Sequence, residues 1–155
     1  GLRAARCATV SLSNRSEDGT WYPDGLGQEF CGKGWAMSDY VAWMLELNIR
    51  EGELANLKAL IQEMVQSTQA TEPGTVNYEW SFDADEKTCH IWERYADSAA
   101  AMTHIGNFGE KFAERFMAAL EPTRFTLYGN PSEEVIEALS AFGAVHMAPV
   151  GGFAR

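Results

Sequence analysis

The sequence predicts an α+β domain in which an antiparallel sheet is covered by helices, with the element order β-α-β-β-α-β. Three observations carry this. Residues 40–50 (YVAWMLELNIR) alternate with period two, two later stretches carry apolar residues at helical spacing, and between those stretches lies a pair of alternating segments joined by the short acidic turn DADEK.

The first strand puts Val41, Trp43, Leu45, Leu47 and Ile49 on one face and Ala42, Met44, Glu46, Asn48 and Arg50 on the other. Glu51-Gly52 turns the chain. Residues 53–69 then set Leu54, Leu57, Leu60, Ile61, Met64 and Val65 on one helical stripe, and Pro73-Gly74 stop the helix. VNYEWSFDADEKTCHIWERYA reads as a hairpin, with Val76, Tyr78, Trp80 and Phe82 alternating against polar neighbours. Asp83, Asp85 and Glu86 are expected to form a polar turn, because a calcium loop needs more oxygen ligands over a longer span. Asp97 or Ser98 caps the next helix, whose apolar stripe runs Ala101, Ile105, Phe108, Phe112, Phe116, Leu120. RFTLY is a fourth strand, SEEVIEALSAF a short helix, and AVHMAPV a fifth, edge strand, since Pro149 cannot donate to a ladder.

This is the ferredoxin-like arrangement. Its sheet has helices on one face and leaves the other bare, and the bare face is expected to carry large apolar groups. A face-to-face homodimer would bury it, with Val41, Trp43, Leu45 and Leu47 supplying one strand's share. Three segments follow: an N-terminal extension over 1–36, a ferredoxin-like domain over 37–130, and a C-terminal helix and edge strand over 131–155 that pack on the domain or on a partner. The extension is rich in Gly, Ser, Asp and Asn without a sustained period. Met37-Ser-Asp reads as a plausible start, and Trp21, Tyr22, Phe30 and Trp35 are candidates for anchoring on a partner subunit.

Composition excludes several function classes. Twelve basic against 22 acidic residues give a formal charge of −10, which disfavours nucleic acid and anionic membrane as partners. No apolar run approaches the roughly 20 residues of a membrane span, and no secretory signal is read at the N-terminus. Cys7, Cys31 and Cys89 include no CxxC, so neither a zinc site nor covalent haem is expected. A Cys7–Cys31 bridge fits the numbers, but the expectation is a cytoplasmic protein with reduced thiols. There is no GxSxG, and GKG at 32–34 is too short to cradle a phosphate. Neither metal nor flavin nor haem is expected.

Two candidates for chemistry remain. His104 lies about 40° from Phe108 around the second helix, at the border of its apolar stripe. A ring there either looks into a cleft between helix and sheet, where imidazole suits proton transfer, or is half exposed. As a border residue it should be replaceable by Ala with little loss of stability. Glu93 shares a strand face with Cys89, Ile91 and Tyr95, so it is either wet at the strand end or buried beside a partner such as Arg94, Arg50 or His104.

The ordered set LELNIREGELANLKALIQEM, EPGTVNYEWSFDADE and IWERYADSAAAMTHI resembles the antibiotic biosynthesis monooxygenase family of dimeric α+β barrels, over roughly residues 40–128. The resemblance rests on a first strand with Glu and Asn, EPG before a strand with a central Tyr, a Glu-Arg-aromatic strand end, a capping Asp, and a His on the second helix. It implies a pocket in each subunit between sheet and second helix, lined by Asn48, Tyr78, Glu93, Tyr95 and His104 with Phe108 and Phe112 as apolar wall. Haem-degrading relatives have a Trp where Tyr95 stands and a ligand His near Phe112; this chain has neither. The implied activity is a cofactor-independent monooxygenation of a small quinol or anthrone-like aromatic. In it His104 removes a proton, helped by Glu93, and the anion reacts with oxygen. The alternatives are an isomerase of a small carbonyl or sugar-like metabolite using the same base, and a non-catalytic small-molecule-binding dimer.

Overall fold

A computed structural model describes residues 39–152. The expected extension over 1–36, its anchoring aromatics and the Cys7–Cys31 bridge lie outside the described residues. The elements are β1 (Val41–Ile49), α1 (Leu54–Thr71), β2 (Thr75–Phe82), β3 (Thr88–Tyr95), α2 (Ser98–Lys111), α3 (Ala113–Ala119), β4 (Leu120–Gly129), α4 (Glu133–Ser140) and β5 (Val145–Met147). Among the described residues they build a five-stranded sheet in the order β2-β3-β1-β4-β5. The first four strands pair antiparallel, and β5 joins β4 in parallel. This is the mixed α+β, ferredoxin-like architecture with one added edge strand.

The apolar stripe of α1 and the odd-numbered face of β1 meet in one core. Leu57, Leu60 and Met64 pack with Leu47, Cys89, Ile91, Phe116 and Leu120, and a second cluster joins Val41, Trp43, Tyr95, Ala101, Leu127, Val135 and Leu139. The face expected to be free for a second copy is therefore covered by the chain's own helices. An amphipathic helix must bury its stripe against the more apolar sheet face, and here that face is Val41, Trp43, Leu45 and Leu47. The open face is the alternate set: Met44, Glu46, Trp92, Arg94 and Tyr128. It is mixed in character, with the Trp92 and Tyr128 rings 5.9 Å apart.

The second helix also differs from expectation. It kinks at Phe112, whose backbone leaves helical geometry (φ −127°, ψ −23°), and α3 ends at Ala119, so Leu120 is the first residue of β4 rather than the end of a helical stripe. The hydrogen bonds Phe112 N→Phe108 O and Phe116 N→Phe112 O continue across the kink. It lets α3 lie against α1, where Arg115 donates from its two terminal guanidinium nitrogens to Glu63 at 2.7 and 2.8 Å. The acidic turn holds itself: Asp83 Oδ1 accepts from the Lys87 and Thr88 amides. The Asp97 side chain accepts from the Ala100 amide and caps α2. Among the described residues no helix is long and apolar enough to cross a membrane.

Candidate active site

Strand alternation puts Cys89, Ile91, Glu93 and Tyr95 of β3 on the helix-covered face, and all four are buried. Register places Tyr78 of β2 directly opposite Glu93 on one side and Trp43 of β1 opposite it on the other. A carboxylate in the middle of a sheet, between two aromatic rings and under a helix, must find compensation within the protein.

The compensation comes from α2. His104 is 6% exposed and Glu93 4%. The imidazole Nε2 lies 3.2 Å from Glu93 Oε2, and the Tyr95 hydroxyl donates to the same oxygen. On its far side, His104 Nδ1 lies 2.7 Å from Glu72 Oε2. Glu72 is the C-cap of α1 and is itself buried. Its two oxygens also accept from Thr75 Oγ1 (3.0 Å) and Asn107 Nδ2 (3.0 Å). The sequence Glu72-Pro73-Gly74 makes this possible. A side chain at Gly74 would put its Cβ 2.5 Å from the Ala100 Cβ, so only glycine lets the start of β2 approach the first turn of α2 and bring Glu72 within reach of His104.

The electrostatics follow from this sandwich. Burial alone would drive His104 towards its neutral form, but the Glu93 charge and the hydrogen bonds to Glu72 and Glu93 outweigh it and hold the ring protonated up to about 9. Desolvation pushes Glu72 upward, while His104, Asn107 and Thr75 together leave it below the usual carboxylate range. Tyr78 and Tyr95 are both pushed up, by burial first and by the Glu93 charge second, so each phenol remains a hydrogen-bond donor. A charged imidazolium therefore sits between the carboxyl groups of Glu72 and Glu93.

A cavity of about 270 Å³ opens beside this row. Glu93, His104 and Tyr78 form its polar corner. Its walls are apolar: Trp43, Leu45 and Ile91 from the sheet, Ile105 and Phe108 from α2, Phe116 and Met117 from α3, Phe125 from β4, and Leu139 and Phe142 from and just after α4. Among the described residues no group of His, Cys, Asp and Glu side chains is arranged to hold a metal ion.

Of the residues singled out in the sequence, the structure brings His104, Glu93, Tyr78 and Phe108 together on the cavity. Tyr95 stands behind Glu93 as its hydrogen-bond donor. Phe112 is in the core at the helix kink and does not line the cavity. Asn48 is exposed and lies on the opposite side of the sheet, because its even position in β1 points it away from the helices. His104 is buried, not a half-exposed border residue, so the premise for a cheap replacement by Ala does not hold. Glu72 is the residue that sequence reasoning misses. Its signal is present, since Leu60, Met64 and Thr68 recur at four-residue spacing along the buried side of α1 and Glu72 is the next step.

Residues 41–108 match the family described as antibiotic biosynthesis monooxygenase. No curated protein sequence matches the chain. Among solved structures, the chain is similar to MupZ from Pseudomonas fluorescens, with TM-score 0.64 and 22% identity over 75% of this chain and 94% of that one. It is also similar to SnoaB from Streptomyces nogalater, a cofactor-independent oxygenase, with TM-score 0.50 and 16% identity over 57% and 90% of the two chains. A conserved protein from Methanosarcina mazei Go1 gives TM-score 0.52 and 12% identity over 59% and 93%. At these identities the similarity is one of fold.

Proposed function

We propose, from the match of residues 41–108 to the antibiotic biosynthesis monooxygenase family, that this chain is a cofactor-independent monooxygenase of a small anthrone- or quinol-like aromatic. One observation carries the reading: a carboxylate, Glu93, faces an aromatic-walled cavity while a buried imidazolium, His104, stands beside it. The roles of the two residues are exchanged relative to the sequence expectation. A histidine already protonated at neutral pH cannot take a proton; a carboxylate with a fixed positive neighbour can take one and leave that positive charge next to the new anion.

For an anthrone-like substrate the steps balance without an external reductant. A ring-carbon proton passes to Glu93, and the carbanion lies against the His104 imidazolium and the Tyr78 phenol. It gives one electron to O₂, and the resulting radical and superoxide combine into a C–O bond. Loss of water from the hydroperoxide, with the second hydrogen of that carbon, leaves a carbonyl. One oxygen atom enters the product, the other leaves as water, and the substrate supplies all four electrons. The protein contributes orientation, proton removal and a dry site.

A homodimer is part of this proposal. The second copy would sit on the open sheet face, where Met44, Trp92 and Tyr128 gather and the β5 edge adds exposed Val145 and Met147. Light scattering at micromolar concentration should give twice the chain mass; a monomer would remove this part. The function itself is tested by oxygen uptake with metal-depleted protein against a panel of anthrones and quinols. Uptake with stoichiometric ketone formation, lost in Glu93→Gln, is expected. No uptake across the panel would overturn the reading and leave an isomerase or a binding protein.

A further inference from the structure

The domain match ends at residue 108, yet much of the cavity wall comes from later residues: Met117, Phe125, Leu139 and Phe142 among them. These side chains share two properties. None is charged or polar, and two of them, Met117 and Phe142, remain exposed, Phe142 by 70%. The backbone that carries Phe142 is nevertheless held in place. Its amide donates to Leu139 O, Gly143 N to Ser140 O and Ala144 N to Leu139 O, and Gly143 takes the left-handed conformation (φ +81°) that ends α4. A large apolar side chain carried on an ordered backbone at a cavity rim and left in water is a contact surface without its contact.

The polar corner sets the second constraint. Two carboxylates against one imidazolium leave the Glu72–His104–Glu93 row one negative charge in excess, and among the described residues no Lys or Arg lines the cavity. A negatively charged ligand would meet both an unpaired desolvation cost and like-charge repulsion. The sheet order gives the distance the ligand must cover. Glu93 is on β3 and Phe125 on β4, with β1 between them, so at about 4.8 Å per strand the cavity runs about 10 Å from the proton acceptor to the β4 wall.

We propose that the cavity selects an uncharged, extended, multi-ring ligand, with its proton-donating end at Glu93 and its far end against Phe142, and that Phe142 sets how long a ligand is accepted. The inference rests on the same cavity as the proposed oxygenase reaction but needs no turnover to be tested.

The probes are N-phenyl-1-naphthylamine and its 8-sulfonate, which share the same rings and differ by one negative charge, and 1-naphthol, which lacks the phenyl arm. Binding is read by fluorescence and calorimetry on the full chain. The neutral amine is expected to bind at least about tenfold tighter than the sulfonate, the scale of one unfavourable charge contact. Phe142→Ala should weaken the amine by roughly fivefold, from lost apolar contact, and leave 1-naphthol and the melting temperature unchanged. Equal binding of amine and sulfonate, or an amine affinity indifferent to Phe142→Ala, would overturn the proposal. The two readings separate cleanly. Tight amine binding without oxygen uptake from any anthrone or quinol keeps this inference and removes the oxygenase, whereas uptake with sulfonated anthrones as good as neutral ones keeps the oxygenase and overturns this inference.

Discussion

The cavity has two ends built on opposite principles. At one end Glu72, His104, Glu93 and Tyr95 come from three separate stretches of chain and satisfy one another's charges and hydrogen bonds in a nearly dry setting. At the other, Met117, Leu139 and Phe142 offer apolar surface with no polar obligations, part of it still in water. A buried charge is stable only while its partners are present, so each polar residue constrains the next. Apolar side chains at a rim can change one at a time. On the proposed reading, the chemistry belongs to the end whose residues depend on one another and selectivity to the end whose residues do not.

The sharpest way to break this contrast is to remove one charge without removing volume. Glu93→Gln should lower turnover by about 10²–10⁴-fold, the usual contribution of a positioned acid or base, while His104 keeps its pairing with Glu72 and the fold survives. Steady-state rates and melting curves on the same preparations check both halves. His104→Ala should instead act on stability. It strands two buried carboxylates, and losing one partner of a buried pair costs about 3–5 kcal/mol, read as a lower denaturant midpoint. The native pairing should also show in the pH dependence. The folded His104 midpoint, about 9, is raised above the ordinary 6.5, so its stabilisation is fully present below pH 6.5 and is lost as pH rises through 9. The amount is of the order of 3 kcal/mol, and urea unfolding at pH 6.5 and pH 9.5 measures it. The smallest effect belongs to the apolar end, where Phe142→Ala should shift stability by no more than about 0.5 kcal/mol.

The fold is legible in the sequence because its signals are local and repeated. Period two over residues 41–49, the helical stripe from Leu54 to Val65, and the Asp97 cap all act within a few residues. The site is legible only where it shares those periods. Glu93 stands out because it sits on an apolar strand face, and His104 because it borders the apolar stripe of its helix. Resemblance puts Asn48 in the pocket, against the alternation of its own strand, and the alternation prevails. The bare sheet face is the other half of β1 from the one expected, because the helices compete for the same apolar residues that a second copy would use. Glu72 acts through a contact with His104 that spans 32 positions, and Gly74 through its close approach to Ala100 on the same helix. No local pattern encodes a distance of that kind, and the rim residues of α3 and α4 enter the cavity the same way.

The central claim is that His104 is a charged, buried residue held between Glu72 and Glu93, which leaves Glu93 as the base. A pH titration of the His104 ring by ¹³C and ¹⁵N NMR tests it without a substrate. The account predicts a midpoint near 9, falling towards 6.5 in Glu72→Gln. A His104 that titrates at or below 6.5 in the unaltered chain would contradict it and return the role of base to the histidine.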